Sequence, residues 1–246
     1  MIVLATLLMT LAKEPVTVSI ANWLVAERTA SGWTHPRKSL NGLPVHLKNM
    51  VSNAGPATLS GKIVIPEEES AQESDRVETD PAPEANSLYV SGGKATPLAV
   101  KHLSAANPAY LKVAAEYAAR KGAKAKKIVI HDIAEADLNG DGQKDIVLSF
   151  ASDYVGDRPG KGYFSAVIVR SQIKGKVRTS ELLWETNVGQ MRGPWTSVFV
   201  GAGDFDGDKK TEFVVKTQDS WLMVSRLVQL SKTGVAKPLL TTYFGD

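Results

Sequence analysis

Apolar positions in this chain fall in short runs separated by polar turn clusters, not every three or four residues over long stretches, and that pattern reads as strands. Val16–Val25 and Leu59–Ile65 are two such runs. Between them lie Gly32, Pro36, Asn41-Gly42 and Asn53-Ala-Gly-Pro56, all turn signals. A small β-rich N-terminal region over 13–65 is therefore expected. After residue 87 come Leu88–Val90 and Leu98–Val100. From Lys127 onward eight segments are rich in β-branched or aromatic residues: Lys127–Ile133, Ile146–Ala151, Tyr163–Arg170, Glu181–Thr186, Ser197–Gly201, Glu212–Lys216, Leu222–Leu230 and Leu239–Phe244. Ser152–Gly162 joins two of them like a long hairpin.

One segment breaks the pattern. Pro108 to Lys121 reads as a helix, with Asn107 as N-cap, Pro108 at the first helical position and Gly122 just past the end. The expectation is a mainly β chain. Residues 88–246 form an antiparallel sheet domain with one short helix at 108–121, in a sheet, sandwich or propeller-blade-like arrangement.

Composition removes several classes of function. The 246 residues include no cysteine, so disulfides, thiolate metal sites and a cysteine nucleophile are excluded. No apolar run approaches the ~20 residues that span a bilayer. Residues Met1–Ala12 carry no charged side chain and are almost wholly apolar. Such a stretch reads as a signal peptide, with Thr10 and Ala12 at the −3 and −1 positions and a mature chain from Lys13. No Lys or Arg precedes the run, and the alternative is a buried N-terminal strand or helix. The expected location is secreted, periplasmic or cell envelope.

Residues 66–87 hold eight acids against Arg76 alone, a net of −7, with three prolines and one aliphatic residue larger than alanine, Val77. Such a segment cannot bury enough apolar surface to offset its ordering entropy, and it reads as an acidic disordered linker. The whole chain carries +3, so the remainder carries +10. Part of that is the cluster Arg120, Lys121, Lys124, Lys126 and Lys127. Nucleic-acid binding is one reading of it. Cations after a helix C-terminus, where they meet the negative end of the helix dipole, are the better one, so no nucleic acid is expected.

Two segments carry the chemistry. Asp137-Leu-Asn139-Gly-Asp141-Gly-Gln143-Lys-Asp145 leads into Ile-Val-Leu, and Asp204-Phe-Asp206-Gly-Asp208-Lys-Lys210-Thr-Glu212 leads into Phe-Val-Val. They start 67 residues apart, an internal repeat. Calcium takes six to eight oxygen ligands, and a tight loop can turn positions 1, 3 and 5 toward one centre. Position 7, Gln143 or Lys210, offers its carbonyl, and position 9, Asp145 or Glu212, closes the shell. Acids packed this closely, three in the first loop and four in the second, repel one another without a cation. Position 12 is Leu148 or Val215 and not the glutamate of an EF-hand, and the following segments are strand-like.

On DLNGDGQKDIVL and GDFDGDKKTEFVV the loops resemble the FG-GAP/VCBS class of integrin-like β-propellers and secreted bacterial proteins. More loosely, residues from about Leu88 to Asp246 are similar to a group of exported bacterial proteins with a short helix before the first loop. The resemblance implies calcium held by the loop residues named above, and no catalytic activity. One position departs: position 6 is Gly142 in the first loop and Lys209 in the second. A left-handed turn there costs a non-glycine residue roughly 1 kcal/mol, and Lys209 adds an opposing charge, so the second loop is expected to bind more weakly or to be a relic. Without metal, both loops read as Asx-rich turns.

Other chemistry is sparse. His131-Asp132 precedes the first loop, but adjacent strand residues face opposite ways. Five tryptophans, Trp23, Trp33, Trp184, Trp195 and Trp221, read as core or as a stacking platform. Trp184 is expected to share a face with Leu182, and Trp33 and Trp195 to be the exposed pair. Two repeats are too few for a closed propeller. The functional expectation is an exported calcium-binding module with a non-catalytic binding or structural role, its partner a protein or glycan at the envelope. The alternatives are an envelope hydrolase with a calcium-braced cleft and a bacterial adhesion module.

Overall fold

The structure is a computed structural model and describes residues 15–51, 57–66, 74–85, 87–92, 94–123, 127–153, 163–186, 196–218 and 222–245. The signal-peptide reading of Met1–Ala12, Trp195, Trp221 and most of the loop 152–162 lie outside the described residues.

Seven strands form the N-terminal part: β1 (Thr17–Ile20), β2 (Trp23–Thr29), β3 (Gly32–Thr34), β4 (Pro44–Asn49), β5 (Thr58–Val64), β6 (Arg76–Thr79) and β7 (Leu88–Ser91). The order β1-β7-β4-β5-β6-β2 is closed by antiparallel pairing of β1 with β2, giving a six-stranded barrel that β3 extends at one edge. The apolar run 16–25 is split by a turn in which Ala21 takes φ +52, so it folds back as a hairpin. Alternation then sorts the side chains. In β4, Val45 and Leu47 are buried while His46 and Lys48 are exposed. Leu24, Val45, Leu47, Leu59, Ile63, Val77 and Tyr89 fill the barrel.

Two expectations need correction here. Residues 76–79 do not belong to a disordered linker: β6 pairs with β5 and β2, and Val77 is 1% exposed. Only one side chain of β6 has to face inward. Arg76 and Glu78 point to the surface, where Glu78 pairs with Lys62 and Arg76, so strong charge is compatible with a strand. Residues 67–73 lie outside the described set. The second correction is that β7 belongs to the barrel, pairing with β1 and β4, and not to the following sheets.

The rest consists of β8 (Thr96–Pro97), β9 (Lys101–His102), α1 (Pro108–Arg120), then β10 (Ile128–Ala136), β11 (Asp145–Ser152), β12 (Phe164–Ile173), β13 (Lys176–Thr186), β14 (Thr196–Asp204), β15 (Glu212–Gln218), β16 (Leu222–Leu230) and β17 (Ala236–Gly245). They build two five-stranded antiparallel sheets, β13-β12-β11-β10-β9 and β17-β16-β15-β14-β8. Each is a four-strand meander whose first strand is edged by one of the short strands. The repeat persists in the register: Ala136 faces Asp145 and, 67 residues on, Gly203 faces Glu212. The helix starts as expected, with Asn107 accepting from the Ala109 amide, and it ends with Gly122 at φ +77.

The layers stack in one direction. Helix α1 covers one face of the first sheet through Ala114 and Ala118 against Ile133, Leu148, Phe150 and Phe164. The other face of that sheet, including Ala134, Ala136 and Leu138, meets Phe199, Phe213 and Val215 of the second sheet. The far face of the second sheet, with Val200, Val214 and Leu227, packs on the outside of the barrel at Val18, Ile20, Leu88 and Val90. Contact there is close: a Cβ on Gly201 would come within 2.8 Å of Val51 and 3.0 Å of Leu88.

Trp184 does not share a face with Leu182. The pairing of β12 with β13 shifts between Val167 and Ile168, leaving Leu182 as a bulged residue, so Leu182 and Leu183 both pack between the sheets. Trp184 turns to the helix side and stacks on Phe164 with ring centroids 4.7 Å apart. Trp33 is half-buried beside the barrel–sheet core, with the Arg28 guanidinium 5.9 Å above its ring.

Candidate metal centre

The two acidic loops occupy equivalent bends, the first joining β10 to β11 and the second joining β14 to β15. Each is anchored by its second residue: Leu138 is 1% exposed and Phe205 is fully buried. Positions 4 and 6 take the left-handed conformation in both, at Gly140 and Gly142 and at Gly207 and Lys209. The carboxylates then gather the amides that this curl turns inward. Asp137 Oδ1 accepts from Gly140 and its Oδ2 accepts from Gly142; Asp204 accepts in the same way from Gly207 and Lys209. Position 3 accepts the amide of position 5, from Asp141 to Asn139 and from Asp208 to Asp206. Position 5 accepts the amide of position 7, from Gln143 to Asp141 and from Lys210 to Asp208, both at 2.8 Å.

Position 9 lies beneath the loop. Asp145 and Glu212 are each 1% exposed. Asp145 Oδ2 accepts the Leu138 amide at 2.8 Å, and Glu212 Oε2 accepts the Phe205 amide at 3.0 Å. Gln229 on β16 donates to the other Glu212 oxygen at 3.2 Å. Burial pushes both acids up: Asp145 is raised against the pull of the Leu138 amide, and Glu212 rises to about 7, with the three loop aspartates adding to the effect. The sequence reading expects these acids to close a ligand shell. In the structure one oxygen of each holds the amide of the loop's second residue from below.

Asp204, Asp206 and Asp208 each offer a carboxylate oxygen within 4.8 Å of the other two. Among the described residues this convergence falls on the second loop, where sequence reasoning expected the weaker site. In the first loop Asn139 replaces the middle carboxylate and its Nδ2 donates to Asp141 Oδ2 at 3.2 Å.

Compared with known proteins, the chain matches no family model, no curated protein and no solved structure.

The cations around the second loop were not legible in its local pattern. Lys210 is expected to offer only its carbonyl, yet its ammonium pairs with Asp208 Oδ2 at 2.5 Å. Burial opposes ionisation of Asp208, but the Lys210 side chain and amide outweigh it and hold the carboxyl below its ordinary range. Arg28, from β2 of the barrel, reaches Asp206 Oδ2 through Nε at 2.6 Å. Arg28 and Asp206 lie on the wall of a cavity of about 640 Å³ between the barrel and the loop. Across that cavity Arg37 pairs with Glu27, which is 1% exposed. A second pair unforeseen from sequence is His102 Nδ1 with Asp132 Oδ1 at 2.8 Å, joining β9 to β10. His131, next to Asp132 in sequence, is the unpaired residue of a bulge between Ile130 and Asp132.

Proposed function

We propose that this chain is a calcium-binding, β-rich module of the FG-GAP/VCBS type, exported to the cell envelope, with a non-catalytic binding or structural role toward a protein or glycan. The convergence of Asp204, Asp206 and Asp208 carries the reading. Donor chemistry supports it, since the loop groups are carboxylate, amide and carbonyl oxygens, which suit a hard cation and not a soft one. Asp204, Asp206, Asp208 and the Lys210 carbonyl would hold the ion in the second loop; Asp137, Asn139, Asp141 and the Gln143 carbonyl would hold it in the first. Position 9, Asp145 or Glu212, contributes by bracing the loop from beneath. Bound calcium would neutralise the clustered acids and lock both bends.

Thermal unfolding tests this. Extracellular calcium modules often bind at about 10⁻⁴–10⁻³ M. At about ten times such a constant, each site adds roughly 1.4 kcal/mol by mass action. For a chain of this size that is a Tm rise of about 3–6 °C per site. EDTA should remove it, calcium restore it, and magnesium restore much less. Superimposable melts with and without chelator would refute the calcium reading.

A further inference from the structure

The two loops share one scaffold of amide hydrogen bonds, yet they differ in what stands over their carboxylates. Among the described residues, no lysine or arginine pairs with Asp137, Asp141 or Asp145. In the second loop a guanidinium from another part of the fold is already in place. Arg28 lies 178 residues from Asp206 in sequence and donates to Oδ2 at 2.6 Å. Its Nη1 donates to the Thr29 carbonyl, also at 2.6 Å, and its guanidinium lies over Trp33. Three contacts therefore fix the cation. The Asp206 side chain is only 8% exposed, so little water competes for its charge.

We propose that Arg28 is an intramolecular competitor for the cation of the second loop, so that divalent-cation binding there and docking of the barrel on the second sheet oppose each other. The proposal rests on the calcium reading above. A divalent ion and a guanidinium cannot both take the full charge of one carboxylate without repelling each other. Entry of the ion therefore weakens the Arg28 contact, and by linkage the contact weakens the ion to the same degree. The cavity of about 640 Å³ beside Arg28 gives the guanidinium room to withdraw. The first loop has no such occupant and fills without disturbing the barrel. The two sites then have separate tasks: the first braces its sheet at low calcium, and the second responds only at higher calcium by loosening the barrel.

Titration calorimetry with calcium chloride on the full chain decides the matter. Asp137→Asn leaves the second loop as the reporter, and Asp204→Asn leaves the first. Each is combined with native Arg28, Arg28→Gln and Arg28→Lys; the lysine keeps a charge and gives a second comparison if the glutamine variant fails to fold. In the Asp137→Asn background, Arg28→Gln should tighten calcium about tenfold, the scale of one charge-assisted hydrogen bond lost from a sheltered carboxylate, with Arg28→Lys in between. In the Asp204→Asn background neither change should matter. Equal affinities at the second loop with and without Arg28 would overturn the competition and leave the calcium reading standing. Absence of binding in both backgrounds would overturn both.

Discussion

Position 6 of the acidic loops allows the backbone to be tested apart from the metal. Gly142 takes φ +84 and Lys209 takes φ +66, and each amide donates to the position-1 carboxylate at 2.9 Å. Both loops therefore hold the same left-handed geometry with different residues. A Cβ added at Gly142 would meet nothing within 4 Å, so Gly142→Ala has no steric component and reports backbone strain alone. Left-handed backbone costs an L-residue about 1–2 kcal/mol. Restricting the unfolded chain returns about 0.4–1 kcal/mol when glycine is replaced. The difference is a net loss of about 0.5–1 kcal/mol for Gly142→Ala and a similar gain for Lys209→Gly. At this chain length that amounts to a Tm change of about 1–4 °C. The assay is urea unfolding in EDTA at about 150 mM salt, where exposed charges are largely screened. Repeating it with calcium should enlarge the gain from Lys209→Gly, because a cation beside the site is also removed. A destabilising Lys209→Gly in EDTA, together with a neutral Gly142→Ala, would show that the left-handed turn carries no strain.

Two further perturbations probe the rest of the fold. Lys216 on β15 is 4% exposed, has no acidic partner among the described residues, and is held below its ordinary pKa by burial. The folded state therefore sheds this proton before the unfolded chain does. Stability should rise with pH between the folded-state value and about 10.5. Lys216→Met should flatten that rise and stabilise the protein at pH 7 by about 1 kcal/mol or more, as read by denaturant titration across pH. Val77→Ala removes a buried side chain from β6 and should cost about 2 kcal/mol. An unchanged unfolding midpoint would mean that this segment does not close the barrel.

Sequence pattern reveals what is local and regular. The strands from β10 to β17 follow from runs of β-branched and aromatic residues, and the loops follow from nine-residue spacing that dictates its own curl. β13 begins at Lys176, five residues before the apolar pattern starts, because an edge strand can leave Val177, Arg178 and their neighbours exposed. β6 is hidden by its charge, since only Val77 needs to be apolar. The facing of Trp184 depends on a bulge at Leu182, and no periodicity announces a one-residue slip. Arg28 has no local signature at all: its role comes from the packing of the barrel on the second sheet, which brings β2 against a loop far along the chain.

The stacking direction has a consequence for assembly. Because both sheets present equivalent faces the same way, their contact is heterologous, the kind of joint that repeats without limit unless something stops it. Two different terminators do so here. At one end Ala114 and Ala118 let the helix lie close on the first sheet, and at the other the barrel closes over the second. These elements play the part of capping units in a solenoid, fixing the array at two members. The small side chains facing the first sheet let the helix cover an apolar face that would otherwise stand open to the next molecule.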